Sequence, residues 1–282
     1  MQYGASFPVA DWADPIALRD YAQTMDGAGM DYVSLSTHLL SMPAGSLPNE
    51  RPHHYVGPYR EPMVLFSYLA GLTQRVKFRT AVLILPLYPT ALIARLAADV
   101  SIITGGRLEL GVGISWNPLE YEALGQDVHV RGKRMVEQIT LLRKLWTEPH
   151  PTFEGSWHQL RGIGLGQLPP RIPILIGAGT EEYLLRRVAR IGDGWIPLTD
   201  PVEPLTRLRR YLEEEGRDFS AFQVSGRLMA GEYDPKAWVE HVRRLHDAGI
   251  NDMEMFPGGG LVGGAAAERL LEARRVLMEE FG

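Results

Sequence analysis

Residues 104–125 read TGGRLELGVGISWNPLEYEALG, and the rest of the chain can be placed by working outward from them. Gly105-Gly106 makes a turn, and Arg107 to Val112 alternates as a strand does, with Leu108, Leu110 and Val112 on one face. The strand runs out through Gly111 and Gly113 and is followed at once by Ser115, Trp116 and Asn117. Glycine at the carboxyl end of a strand has no Cβ to hold a flat ligand away from the backbone. Trp116 then offers a stacking face and Asn117 an amide. A buried strand followed by an ordinary loop would give the same letters, so the flanking elements have to decide.

Upstream, Tyr3–Pro8 (YGASFP) is a short apolar strand, and Asp14-Pro15 starts a helix as an N-cap followed by proline. Tyr32–Thr37 is a second strand with His38 where it finishes, and Glu61-Pro62 opens another helix. Lys77–Leu85 (KFRTAVLIL) is nearly continuous in apolar residues, as a parallel strand covered on both faces should be. Downstream, strands are expected at Ile172–Ile176, Trp195–Leu198, Phe222–Leu228 and Asp252–Phe256, each followed by a helical period. Eight strand–helix repeats in 282 residues make a (β/α)8 TIM barrel of the α/β class, one domain over 1–282. Two insertions interrupt it. One, about 39–61 after strand two, is rich in proline and carries His53, His54, Tyr55 and Tyr59, which suits a lid. The other is an excursion over about 150–170, after strand four.

Composition narrows the function classes. The formal net charge is −5, without a basic tail or stripe, which argues against nucleic acid as a partner. With no cysteine there is neither a disulfide nor a thiol nucleophile. The opening MQYGASFPVADW does not read as a signal peptide and no run approaches a membrane span, so a cytoplasmic protein that binds no membrane is expected. No metal site is expected: His53-His54 lack a third ligand at zinc-like spacing, and His241 and His246 stand five apart. GVGISW is not a dinucleotide fingerprint, because Trp116 occupies the place of the third glycine.

In a barrel the chemistry collects at the carboxyl ends of the strands. There, Gly177-Ala178-Gly179-Thr180 joins a strand directly to a helix, where unpaired amides and the helix dipole suit a phosphate. Thr180 adds a hydroxyl donor or serves only as the helix cap. Gly258–Gly264, after strand eight, is a rival phosphate loop. His38 is placed either to act as a general acid–base group or to brace the lid. Asp99 is expected to pair with Arg107.

Three stretches together resemble the bacterial luciferase-like flavin and deazaflavin oxidoreductases: TAVLILPLYPTALIARLAADVSIITGGRLELGVGISWNPLEYEALG, RGKRMVEQITLLRKLW and PILIGAGTEEYLLRRVARIGDGWIP. The resemblance implies a barrel, usually a homodimer, that binds coenzyme F420 or FMN with the ring over the carboxyl ends of the strands. It implies a non-proline cis peptide at Ala81–Val82 behind the ring and the cofactor phosphate at Gly177, Ala178, Gly179 and Thr180. Phe7, Gly111, Gly113, Trp116 and Asn117 would complete the cofactor site, and Tyr55 and Tyr59 of the lid would meet a small-molecule substrate. The FMN branch tends to carry an arginine where this chain has Ile114 and Ser115, which favours F420. Many F420 members have Asp-His where this chain has Thr37-His38. Trp116 replaces the glutamate of the sugar-phosphate dehydrogenases, which points away from glucose-6-phosphate. The implied activity is hydride transfer between deazaflavin C5 and an organic substrate, with His38 moving the proton. An FMN-dependent monooxygenase using O2 is the alternative within the class, and a non-catalytic F420 carrier the alternative outside it.

Overall fold

The computed structural model of the chain describes residues 1–8, 11, 13–43, 45–46, 59–232 and 234–282. Most of the lid insertion, with His53, His54 and the substrate candidate Tyr55, therefore lies outside the described residues.

The chain runs β1 (Gln2–Ser6), α1 (Pro15–Gly27), β2 (Tyr32–Leu35), α2 (Pro62–Ala70), β3 (Lys77–Thr80), β4 (Leu83–Ile84), α3 (Thr90–Thr104) and β5 (Leu108–Gly113). It continues with α4 (Pro118–Ala123), α5 (Arg131–Thr147), β6 (Thr152–Glu154), β7 (Gln159–Arg161), β8 (Ile174–Ala178), α6 (Glu182–Ile191) and β9 (Gly194–Pro197). The last elements are α7 (Val202–Glu214), β10 (Gln223–Met229), α8 (Pro235–Asp247), β11 (Asp252–Phe256) and α9 (Gly263–Phe281). All pairings outside the β6–β7 hairpin are parallel. The order β3-β2-β1-β11-β10-β9-β8-β5 closes through a β3–β5 pairing into a ring of eight strands, with β4 extending the β3 position. The expected barrel is what forms.

The helices start where the sequence says they should. Asp14 accepts from the Ile16 amide and Glu61 from the Val64 amide, each just before a proline whose missing N–H costs the first turn nothing. Leu18, Tyr21, Ala22 and Met25 of α1 are buried against the strands, as are Met135, Ile139, Leu142 and Leu145 of α5. The continuous strand expected over 77–85 is instead broken in two: the Ala81–Val82 peptide bond is cis, and β3 stops at Thr80 before β4 resumes at Leu83.

The excursion after α5 is not a mouth loop. Its hairpin is pinned to the helix layer, where Glu137 of α5 accepts from the Ser156 and Trp157 amides and from His158 Nδ1. His158 Nε2 reaches Thr90 Oγ1 at the start of α3 at 2.6 Å. The Asp99–Arg107 pair is also corrected. Asp99 meets Arg95 four residues away, and Arg107 spends its guanidinium on Thr73 Oγ1 and the carbonyls of Ala70, Thr73, Val76 and Thr104. The Ala70, Thr73 and Val76 carbonyls lie at the end of α2 and in the loop after it, and the Thr104 carbonyl ends α3, where an intrahelical partner is missing.

The barrel interior is polar at its centre. Arg79 is fully buried between Glu109 and Asp252 and lies 3.4 Å from the centre of the Tyr32 ring. Ser225 joins Asp252, and Ser34 donates to Glu254. A buried cation between two carboxylates sets aside a large desolvation cost, and holds only while each partner is present.

Candidate functional site

The carboxyl-terminal mouth of the barrel gathers the candidates into three groups. The first surrounds a residue that the sequence reading passed over. Glu120, one per cent exposed, lies on α4 and holds His38 Nδ1 at 2.7 Å through Oε2. Its Oε1 accepts from the Leu39 and Leu40 amides at 2.7 and 3.2 Å. A carboxylate receiving N–H groups on both oxygens assigns the Nδ1 proton to His38 and leaves Nε2 as the group that can accept. The His38 ring lies 5.1 Å from that of Tyr59 and 5.9 Å from that of Trp116, centre to centre. Trp116 is 43% exposed and forms part of the wall.

Ser115 sets the direction of that wall. Its φ of 56° is left-handed, which is unusual for a residue with a Cβ and worth reading as a functional constraint. Its hydroxyl accepts from the Asn117 amide at 3.2 Å. Asn117 is buried and capped into the structure: Oδ1 accepts from the Leu119 amide, and Nδ2 donates to Glu120 at 3.4 Å. Its side chain is engaged with α4 and Glu120. Asn-Pro-Leu-Glu has the form of a capping box, an N-cap with an acid three residues on. That signal was legible, but a capping box turns its acid back to the N-cap amide, whereas Glu120 turns to the end of β2.

The second group is the cis bulge. Val82 is wedged between two glycines: a Cβ on Gly113 would stand 2.7 Å from one Val82 methyl, and on Gly177 2.9 Å from the other. These glycines make room for the bulge, and the bulge presents Val82 to the mouth from behind. Gly111 differs. A Cβ there would collide with the Thr80 carbonyl, so its missing side chain admits the neighbouring strand. Phe7 stands at the end of β1. It is one per cent exposed and packs on Tyr21 of α1, with ring centres 5.3 Å apart.

The third group is a recess of about 90 Å³ lined by Ile114, Met135, Ile176, Gly177, Ala178, Gly179, Leu184, Arg187 and Leu198. Among the described residues Arg187 has no carboxylate partner. Burial pushes its pKa down, yet a guanidinium stays charged. Gly132 at the start of α5 gives it room, since a Cβ there would be 3.1 Å from an Arg187 nitrogen. The cap of α6 is Glu181 and not Thr180. Glu181 is exposed, makes no cap hydrogen bond and lies over Gly179, so an entering anion meets one movable carboxylate as well as Arg187. A half-buried arginine with no carboxylate partner among the described residues, beside the half-buried loop at Gly177–Gly179, fits a phosphate. The rival loop after β11 does not: the carboxylate of Asp11 already accepts from the Gly263 amide at 2.6 Å, at the amino end of α9.

No group of acids and histidines that could hold a metal ion occurs among the described residues, and no helix among them is long and apolar enough to cross a membrane.

With this geometry in hand, the family comparison is decisive: the model of the luciferase-like monooxygenases matches residues 4–274. The chain belongs to that family. An uncharacterized protein of Mycobacterium tuberculosis is 35% identical over 201 residues, 70% of this chain and 67% of that one. The F420-dependent glucose-6-phosphate dehydrogenase of Kineococcus radiotolerans is 29% identical over 187 residues, 64% of this chain and 52% of that one. Among solved structures, long-chain alkane monooxygenase (LadA) superposes with a TM-score of 0.80 at 12% identity, covering 99% of this chain and 91% of that one. That last likeness establishes the fold.

Proposed function

We propose that the protein is a coenzyme F420-dependent oxidoreductase that moves a hydride to or from a small organic substrate, with His38 handling the proton. The observation that carries this reading is the His38–Glu120 pair at the mouth, next to the cis bulge. Val82, Gly113 and Gly177 would back the cofactor ring, and Gly177–Gly179 with Arg187 would hold its phosphate. Ile114 and Ser115 offer no arginine of the kind the FMN branch uses, and a relative at 29% identity carries F420 in its name.

When bound, the deazaflavin supplies a two-electron hydride acceptor or donor. The chain's own residues do the rest. In alcohol oxidation His38 Nε2 accepts the hydroxyl proton as the carbon gives up hydride, and the imidazolium so formed is stabilised by Glu120. In reduction the imidazolium returns that proton to the substrate atom left negative. Trp116 and Tyr59 flank the imidazole and limit water around it.

The test offers reduced F420 under argon and then in air, with a panel of ketones, imines and activated alkenes. Oxidation of the cofactor that depends on the organic substrate and not on oxygen is expected. Turnover that requires FMN and O2 would instead make the protein a monooxygenase, and tight F420 binding without any turnover would make it a carrier. Arg187→Gln should weaken F420 binding by about tenfold while leaving riboflavin, which lacks a phosphate, unaffected.

A further inference from the structure

We infer that Arg227 is an anion receptor on the substrate side of the mouth, so that the substrate is a small acid; this rests on the hydride-transfer reading above. The register of β10 puts Arg227 on the inward face. It is two residues beyond Ser225, which joins Asp252 in the barrel centre, and it is paired across the sheet with Glu254. Ser225 and Glu254 are buried, whereas Arg227 is exposed, so the side chain emerges from the polar centre at the carboxyl end of the barrel.

Its guanidinium lies 5.4 Å from the centre of the Phe256 ring and has no ion pair or side-chain hydrogen bond among the described residues. Only its backbone carbonyl is used, by His241 Nε2. The nearest acid on the neighbouring strand is committed elsewhere, since Glu254 takes the Ser34 hydroxyl. Burial is the largest influence on the Glu254 carboxyl and pushes it up, toward its neutral form, although the charge of Arg227 acts on it in the opposite direction without a direct contact. Arg79 is bonded to Asp252, which stands opposite Ser225 two residues back along β10, and is held by two carboxylates. Arg79 is structural, and Arg227 is left open.

Position supplies the second observation. Three strands separate β10 from β3 in either direction around the ring, so Arg227 faces the cis bulge from the opposite wall. A ring backed by Val82 would turn its open face toward Arg227, with His38 on the flank at the end of β2. A substrate between them would place its reacting carbon near His38 and its charge on Arg227. Guanidinium favours a planar, bidentate acceptor, hence a carboxylate.

The test compares benzoate with benzamide, its neutral counterpart of nearly the same shape, by calorimetric titration. The proteins are wild type, Arg227→Met, Arg227→Gln and Arg227→Lys, each with and without F420. Benzoate should bind wild type and Arg227→Lys, and bind the two neutral variants at least about tenfold more weakly, while benzamide does not distinguish them. Benzoate binding to the neutral variants as to wild type, or no preference for benzoate in wild type, overturns the inference. Loss of F420 affinity in the neutral variants would assign the guanidinium to the cofactor and overturn it too, leaving the hydride-transfer reading intact. If F420 binds none of the four proteins, that reading fails, and the benzoate comparison on cofactor-free protein still decides the role of Arg227.

Discussion

Glu120→Gln should lower kcat by about 10²–10³-fold while leaving cofactor affinity nearly unchanged. The reason is geometric. The remaining carbonyl oxygen of glutamine can still receive the Leu39 and Leu40 amides, so the turn after β2 is kept. The amide nitrogen then faces His38 Nδ1, where Oε2 now stands at 2.7 Å. Two donors cannot face each other, so the imidazole must move its proton to Nε2 and lose its accepting lone pair on the mouth side. His38→Ala should cost a similar amount, and the double variant little more than either single one, because the two residues act as a unit. KM should change less than kcat in all three. A merely structural Glu120 would instead lower thermal stability and disturb cofactor binding and turnover together. Steady-state kinetics with a cofactor titration on the same preparations separates the two cases.

The largest effect on stability is expected at Arg79. Arg79→Met fits the space approximately but leaves Glu109 and Asp252 buried without their cation, which should destabilise the fold by about 3–5 kcal/mol. For a chain of this size that is a fall in Tm of roughly 5–8 °C. The pH dependence should also change sign. Burial alone would raise the Glu109 carboxyl, but Arg79 and then Lys77 outweigh it and hold it below its ordinary value of 4.5. A depressed carboxyl contributes stability above about pH 4.5, and that contribution is lost as the pH falls through the folded-state value. Without Arg79 the burial effect dominates and the folded-state value rises, so the variant should recover stability relative to wild type on acidification from neutral pH. Thermal melts of both proteins between neutral and mildly acidic pH give the answer. A variant as stable as wild type at neutral pH would mean that the central network contributes nothing that a methionine cannot replace.

The barrel was legible because its signals are local and repeated. Asp14-Pro15 and Glu61-Pro62 mark helix starts in the letters themselves, and the strands appear as short apolar runs closed by glycine or proline. The cis bond at Ala81–Val82 came from the likeness of TAVLILP to a known family and could not have come from hydropathy, which reads 77–85 as one strand. Other features depend on what lies across the sheet. Gly111 and Gly113 are alike in sequence, yet one admits the Thr80 carbonyl and the other the Val82 side chain. Glu120 looks like a helix-capping acid, and nothing within three residues reveals that its partner is 82 residues away. Arg187 and Arg227 look like ordinary helix and strand cations until it is seen that neither has an ion pair among the described residues.

We propose that the mouth binds a deazaflavin in preference to FMN. Titrating the protein separately with F420 and FMN under argon, and following tryptophan fluorescence with Trp116→Phe as the control, distinguishes the two cofactors. Saturable quenching at low micromolar F420, much weaker response to FMN and loss of the signal in the control are the predicted result. Tight FMN binding with no response to F420 would contradict it and turn the site toward oxygen chemistry.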